Sequence, residues 1–245
     1  MTIALDTAIL VGLVVVLAYT VFGLTGFGSS ITAMPLLVQL IPLHTAVAMM
    51  LIFDLAAGLL LGLKNRRMVD RSELLLLVPM MLVGMGIGVV VLVNAPERLL
   101  LLTLGFFILA YSAWSLLLNP GLNRIASGWA VPLGVTGGVF TALFGTGGPV
   151  YTIYLARRLP DKLVLRATIS SLIFISGLSR LALFSGAGLY RQSGLLLLAA
   201  ALLPFALAGL YAGNHLHGKL APARVVQVVW AVLIGGGVSL IVRNW

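Results

Sequence analysis

The chain has 245 residues, of which 61% are apolar and 9% charged, and a mean hydropathy of +1.16. Soluble domains carry about 25% charged residues, so this composition excludes a soluble fold and points to an all-α polytopic membrane protein. Cysteine is absent, which removes disulfides and thiolate metal sites. The net charge of +9 does not imply nucleic acid, because the basic residues sit between apolar runs, where topology signals belong.

In chain order, apolar segments fall near 8–24, 27–41, 43–63, 73–93, 98–118, 130–144, 148–157, 163–186, 194–214 and 224–243. A crossing helix needs about 20 such residues. A β-barrel would alternate apolar and polar residues, and Leu195–Leu207 does not. Met1 to Asp6 holds no Lys or Arg, so the first segment lacks the basic flank of a signal peptide and is expected to be retained. No polar block is long enough for a soluble catalytic module. Segments 27–41 and 148–157 are short for full spans, and each follows a glycine cluster, Gly26-Phe27-Gly28-Ser29-Ser30 or Gly145-Thr146-Gly147-Gly148-Pro149. Each reads as half of a helical hairpin that either re-enters or crosses twice. The plainer reading makes the glycines tight turns only.

The two halves align. Gly26 lies opposite Gly145 at an offset of 119, and Gly84 to Gly88 lies opposite Gly209 to Gly213 at an offset of 125. The chain therefore reads as one repeat over 1–118, a connecting loop at 119–128 and a second repeat over 129–245. Each repeat is a glycine-broken hairpin followed by three transmembrane helices. By the positive-inside rule, Lys64, Arg66, Arg67 and Arg71 lie in the cytoplasm. Ten basic residues then fall inside, against Arg98, Arg191 and Arg243 outside. Both termini face the periplasm. Three crossings per repeat is an odd number, so the second repeat is inverted, and the two hairpin tips are expected to meet near the midplane, as in secondary transporters.

A helix that restarts after a glycine break presents bare N–H groups and the positive end of its dipole, a site for an anion. The first restart carries Ser29, Ser30 and Thr32; the second carries Thr146, Gly147 and Gly148. Pro149 suits a first helical position. Hydroxyls at helix starts are also ordinary caps. Within the apolar runs, Asp54 and Arg180 are the deep charges. Such charges mark a substrate or proton path, or else pair with each other. The first alternative gives Arg180 to the substrate anion and Asp54 to proton coupling; the second makes them a structural salt bridge. No catalytic constellation and no metal set emerges, and no cofactor is expected.

Phe22-Gly23-Leu24-Thr25-Gly26-Phe27-Gly28-Ser29-Ser30, followed by Met34-Pro35, resembles the first repeat of the sulfite exporter TauE/SafE family. Gly137-Gly138, then Leu143-Phe144-Gly145-Thr146-Gly147-Gly148-Pro149 and Arg166-Ala167-Thr168, resembles the second. The resemblance implies a bacterial inner-membrane permease for sulfite, thiosulfate, sulfonates or other organic anions. Ser29-Ser30 stands where the family often carries further glycines. The expected partners are a small anion and membrane lipid; homo-oligomerisation stays open. A proton-coupled secondary transporter is the first reading. An anion channel is the alternative, distinguished by uncoupled flux, and a scaffold or membrane enzyme is the third.

Overall fold

A computed structural model describes residues 5–25, 28–62, 68–117, 124–191, 194–216 and 222–245. These residues form ten α-helices and no strand. Seven of the described helices are long and apolar enough to cross a membrane. The chain packs as two compact units, one of Met1–Phe53, Ala95–Asn119 and Tyr190–Trp245, the other of Asp54–Asn94 and Pro120–Leu189.

In the first unit α1 (Leu5–Thr25) lies along α9 (Leu195–Leu216) and α5 (Glu97–Leu117) along α10 (Pro222–Asn244). The short α2 (Ser29–Leu37) packs against α1, α5 and α10. Pro35 of α2 fits against the bare Cα of Gly236, and Gln39 beyond α2 bonds both the Pro35 carbonyl, at 2.7 Å, and Ser239 Oγ, at 3.1 Å. The start of α3 (Leu43–Gly62) is held by Glu97, whose Oε1 accepts from Leu43 N at 2.8 Å. A carboxylate at that end satisfies an orphan N–H and faces the positive pole of the helix.

In the second unit α4 (Arg71–Asn94) lies along α6 (Ala130–Phe144), and α8 (Lys162–Gly186) packs against α4. The short α7 (Gly148–Leu155) packs against α6 and α8. At the start of α4, Asp70 Oδ1 accepts from Ser72 Oγ at 2.5 Å and Glu73 N at 3.1 Å. Asp70 N in turn donates to Thr168 Oγ1 of α8 at 3.0 Å. The cap bonds hold the Asp70 carboxyl below its ordinary value of 3.8, the Ser72 hydroxyl contributing most.

Glycine sets how close the long helices come. A Cβ on Gly209 or Gly213 would run into the carbonyls of Val16 and Thr20 of α1; a Cβ on Gly84 or Gly88 would run into those of Val135 and Val139 of α6. Val16 and Val135 are 119 apart, as are Thr20 and Val139, while Gly84 and Gly209 are 125 apart, as are Gly88 and Gly213. One interface is thus built twice, each time joining the first helix of one half to the fourth helix of the other. The prolines within α4 and α9, Pro79 and Pro204, keep the offset of 125 as well. Apolar side chains gain little from leaving lipid for a helix interface, so close van der Waals approach through small residues supplies the association.

Two tests follow from this packing. Gly84→Ala and Gly209→Ala should each destabilise the purified protein by about 1–3 kcal/mol through overpacking. Gly86→Ala, where nothing lies within 4 Å, should be neutral or stabilising by up to about 1 kcal/mol, because alanine favours helix. Thermal unfolding in detergent measures the contrast, and equal losses at Gly84 and Gly86 would contradict it. The Asp70 cap should be at full strength above its unfolded pKa and fade as pH falls through the lower folded value, below 3.8. Asp70→Asn keeps a capping oxygen but should remove that part of the acid sensitivity, read from unfolding midpoints across pH 2.5–6.

Candidate functional site

In the second unit α6 ends at Phe144, and Gly145 follows in the left-handed region at φ 71°. Gly145 N bonds Thr141 O at 2.9 Å and Thr146 N bonds Phe140 O at 3.3 Å, which closes the helix end. The chain then restarts at once. Gly147 caps α7, Pro149 lies in its first turn, and Tyr151 N makes the first bond back to Gly147 O at 3.1 Å. The N–H groups of Gly147, Gly148 and Val150 come before the ladder begins and have no partner within the helix. With 8 residues, α7 is about 12 Å long, far short of the ~30 Å hydrocarbon core. The helix is therefore too short to cross that core by itself.

Beside those amides sits Thr146, 1% exposed, with an Oγ1 that has no hydrogen-bond partner. A buried hydroxyl left unsatisfied costs about 1–3 kcal/mol. Its neighbours are saturated by contrast. Thr141 Oγ1 donates to Gly137 O at 2.7 Å, so the 2.9 Å contact between Thr141 Oγ1 and Tyr151 Oη is a bond donated by Tyr151. The Tyr151 ring lies on Gly137 and Gly147: a Cβ on Gly137 would strike the ring, and one on Gly147 would strike Thr141 Oγ1 and the Gly137 carbonyl. The bare Cα of Gly147 thus serves packing against Thr141 and Tyr151.

Arg180 of α8 is 2% exposed and Asp54 of α3 is 8% exposed. Arg180 Nη1 stands 4.0 Å from Asp54 Oδ2, a long ion pair, and its guanidinium carbon lies 5.3 Å from the Phe184 ring centroid. The Arg180 charge also reaches the Tyr151 phenol. A buried positive side chain thus shares the unit that holds the hairpin turn with its bare amides, and an arginine suits an anion.

In the first unit Gly28 adopts φ 95° and caps α2, where Thr32 N bonds Gly28 O at 3.1 Å. Ser29, Ser30 and Thr32 are all buried, and Thr32 Oγ1 has no hydrogen-bond partner. Gly26 and Phe27 lie outside the described residues, as do Lys64, Arg66 and Arg67.

Three features escaped sequence reasoning. Thr141 and Tyr151 are equidistant from Thr146, the spacing of facing residues in a hairpin, and that symmetry was the available signal. Glu73, the first residue of the apolar run 73–93, is 7% exposed. It accepts from Tyr154 Oη and from Arg158 Nε, each at 2.7 Å. Arg158 is its ion-pair partner, at 2.7 Å. Among the described residues no group of three His, Asp or Glu could hold a metal ion.

Comparison with known proteins agrees with this architecture. The model of the family described as "Sulfite exporter TauE/SafE" matches residues 11–240. The chain is 28% identical over 200 residues to the Comamonas testosteroni protein named "Probable inner membrane transporter protein TsaS", covering 80% of this chain and 83% of that one. No solved structure gives a significant match. With nearly its whole length matched, the chain belongs to the sulfite exporter TauE/SafE family of membrane transporters.

Proposed function

We propose that the chain is a proton-coupled secondary transporter of small sulfur-containing or organic anions, such as sulfite, thiosulfate or sulfonates, across the bacterial inner membrane. The observation that carries this reading is the buried, unpartnered Thr146 hydroxyl beside the bare amides of a helix too short to span. An oxyanion would satisfy the hydroxyl and the amides together, and the helix dipole favours its charge. Gly145, Thr146, Gly147 and Gly148 line the approach in one unit. Gly26, Phe27, Gly28, Ser29 and Ser30, with Thr32, supply the counterpart in the other. Inverted repeats with both termini in the periplasm would give the alternating access such transporters use.

Arg180 and Asp54 supply the coupling in this scheme. The pair is long, at 4.0 Å, and an arriving oxyanion offers Arg180 a planar bidentate partner. Drawn toward the anion, Arg180 leaves Asp54 as a buried carboxylate with less compensation, and proton uptake relieves it. Anion and proton binding then reinforce one another. The family match and the name of the Comamonas relative support transport and the inner membrane; the choice of anion rests on the site chemistry and the family description.

The sharpest test is Thr146→Val. Losing an unsatisfied buried hydroxyl should raise stability by about 1–3 kcal/mol, while weakening sulfite or thiosulfate binding about tenfold, the worth of a hydrogen bond to a charged group. Thermal unfolding with and without anion separates the effects; unchanged anion stabilisation in the variant would overturn the site. Asp54→Asn should keep anion binding but flatten the pH dependence of flux in proteoliposomes. A stable, active Arg180→Leu, Asp54→Leu double variant would instead show that the two only pair with each other. Uncoupled, non-saturating flux would identify a channel.

A further inference from the structure

We infer that the turn joining α7 to α8 forms a second anion site, specific for a phosphate-bearing group and separate from the hairpin turn. A cavity of about 410 Å3 opens there, lined by Arg124, Arg157, Arg158 and Lys162, with Leu159 and Leu165 among its apolar walls. It lies at the C-terminal end of α7, the opposite end from Gly147 and Thr146. All the lining residues belong to one unit.

Three carboxylates stand near these cations, and each is already committed, Asp70 as the cap of α4. Glu73 is engaged by Arg158 and Tyr154. Arg158 also donates to the Ile125 carbonyl at 3.3 Å, so its guanidinium is fixed in the cavity wall. Asp161 caps α8, accepting from Leu163 N at 2.7 Å and Val164 N at 3.3 Å. Among the described residues, neither ion pair involves Arg124, Arg157 or Lys162. A topology signal would be served by cations dispersed in solvent. Here three uncompensated cations and one anchored arginine face a common cavity whose remaining walls are apolar.

Such a mixture suits a phosphate that carries a hydrophobic body, because basic pockets at the ends of membrane helices bind anionic lipid headgroups. The surroundings fit the membrane interface. Trp129 is 54% exposed and Leu163, adjoining Lys162, is 60% exposed, the amphipathic and apolar surface expected at headgroup depth. The shared chemistry is a phosphate dianion or diester; its source is either an anionic lipid or free phosphate.

The test uses the full-length protein purified in detergent and stripped of lipid, with binding read by native mass spectrometry and thermal shift. The probes are cardiolipin, phosphatidylcholine and inorganic phosphate. Cardiolipin should bind well above phosphatidylcholine, and Arg124→Gln, Arg157→Gln and Lys162→Gln should each weaken it about fivefold, the triple variant roughly a hundredfold. If inorganic phosphate shows the same losses and displaces cardiolipin, the site takes free phosphate; if phosphate is inert, the lipid headgroup is the ligand. Arg243→Gln, at the exposed end of α10, controls for loss of charge alone. The single variants keep the test readable should the triple variant not fold. Wild-type affinity in the single variants, an equal loss in Arg243→Gln, or equal binding of phosphatidylcholine would each overturn the inference.

Discussion

Backbone contact at glycine is the constraint on which this structure depends. In hydrocarbon, two leucine-faced helices gain little by touching, because the lipid they displace is equally apolar. Association must come from close approach, and only glycine lets carbonyl and Cα meet at the spacing seen between α1 and α9 and between α4 and α6. The duplicated offsets show the same solution used in both units. Val16 and Thr20 of α1, whose carbonyls meet the α9 glycines, have Val135 and Val139 of α6 as their counterparts 119 positions later.

That rigid packing allows the chain to hold polar groups that would otherwise be intolerable. A hairpin turn that leaves amides without partners persists in hydrocarbon only where protein or a water-lined cavity receives them. The Tyr151 ring, seated on Gly137 and Gly147, supports the second turn from below. Thr141 completes the support through its bond to Tyr151. Among the described residues of this unit, the buried side-chain atoms left without a hydrogen bond are Thr146 Oγ1, just before α7, and Arg180 Nε in α8.

The two ion pairs of this unit differ in the same sense. Glu73 and Arg158 meet at 2.7 Å and share Tyr154, which compensates both desolvated charges. Asp54 and Arg180 meet at 4.0 Å, where the Coulomb gain falls. The first geometry ties α4 to the turn after α7. The second joins α3 to α8.

Several levels of this organisation were legible in sequence because each has a one-dimensional signature. Long apolar runs gave the helices nearly one for one, since each helix must bridge hydrocarbon with about 20 residues. The two short runs were visible as such because a glycine cluster precedes each, and the structure keeps them as helices of 9 and 8 residues. Gly145 and Gly28 were marked as breaks, and both adopt positive φ. Asp54 and Arg180 stood out because charge within an apolar run is costly. Partnership was not legible. Nothing local in the sequence says that Arg158 meets Glu73, 85 positions away, or that Thr141 bonds Tyr151 while Thr146 bonds nothing. Those outcomes depend on the register of α6 against α7 and of α4 against the turn beyond it. The tertiary structure decides that register, because it depends on which side chains the glycine contacts allow to fit.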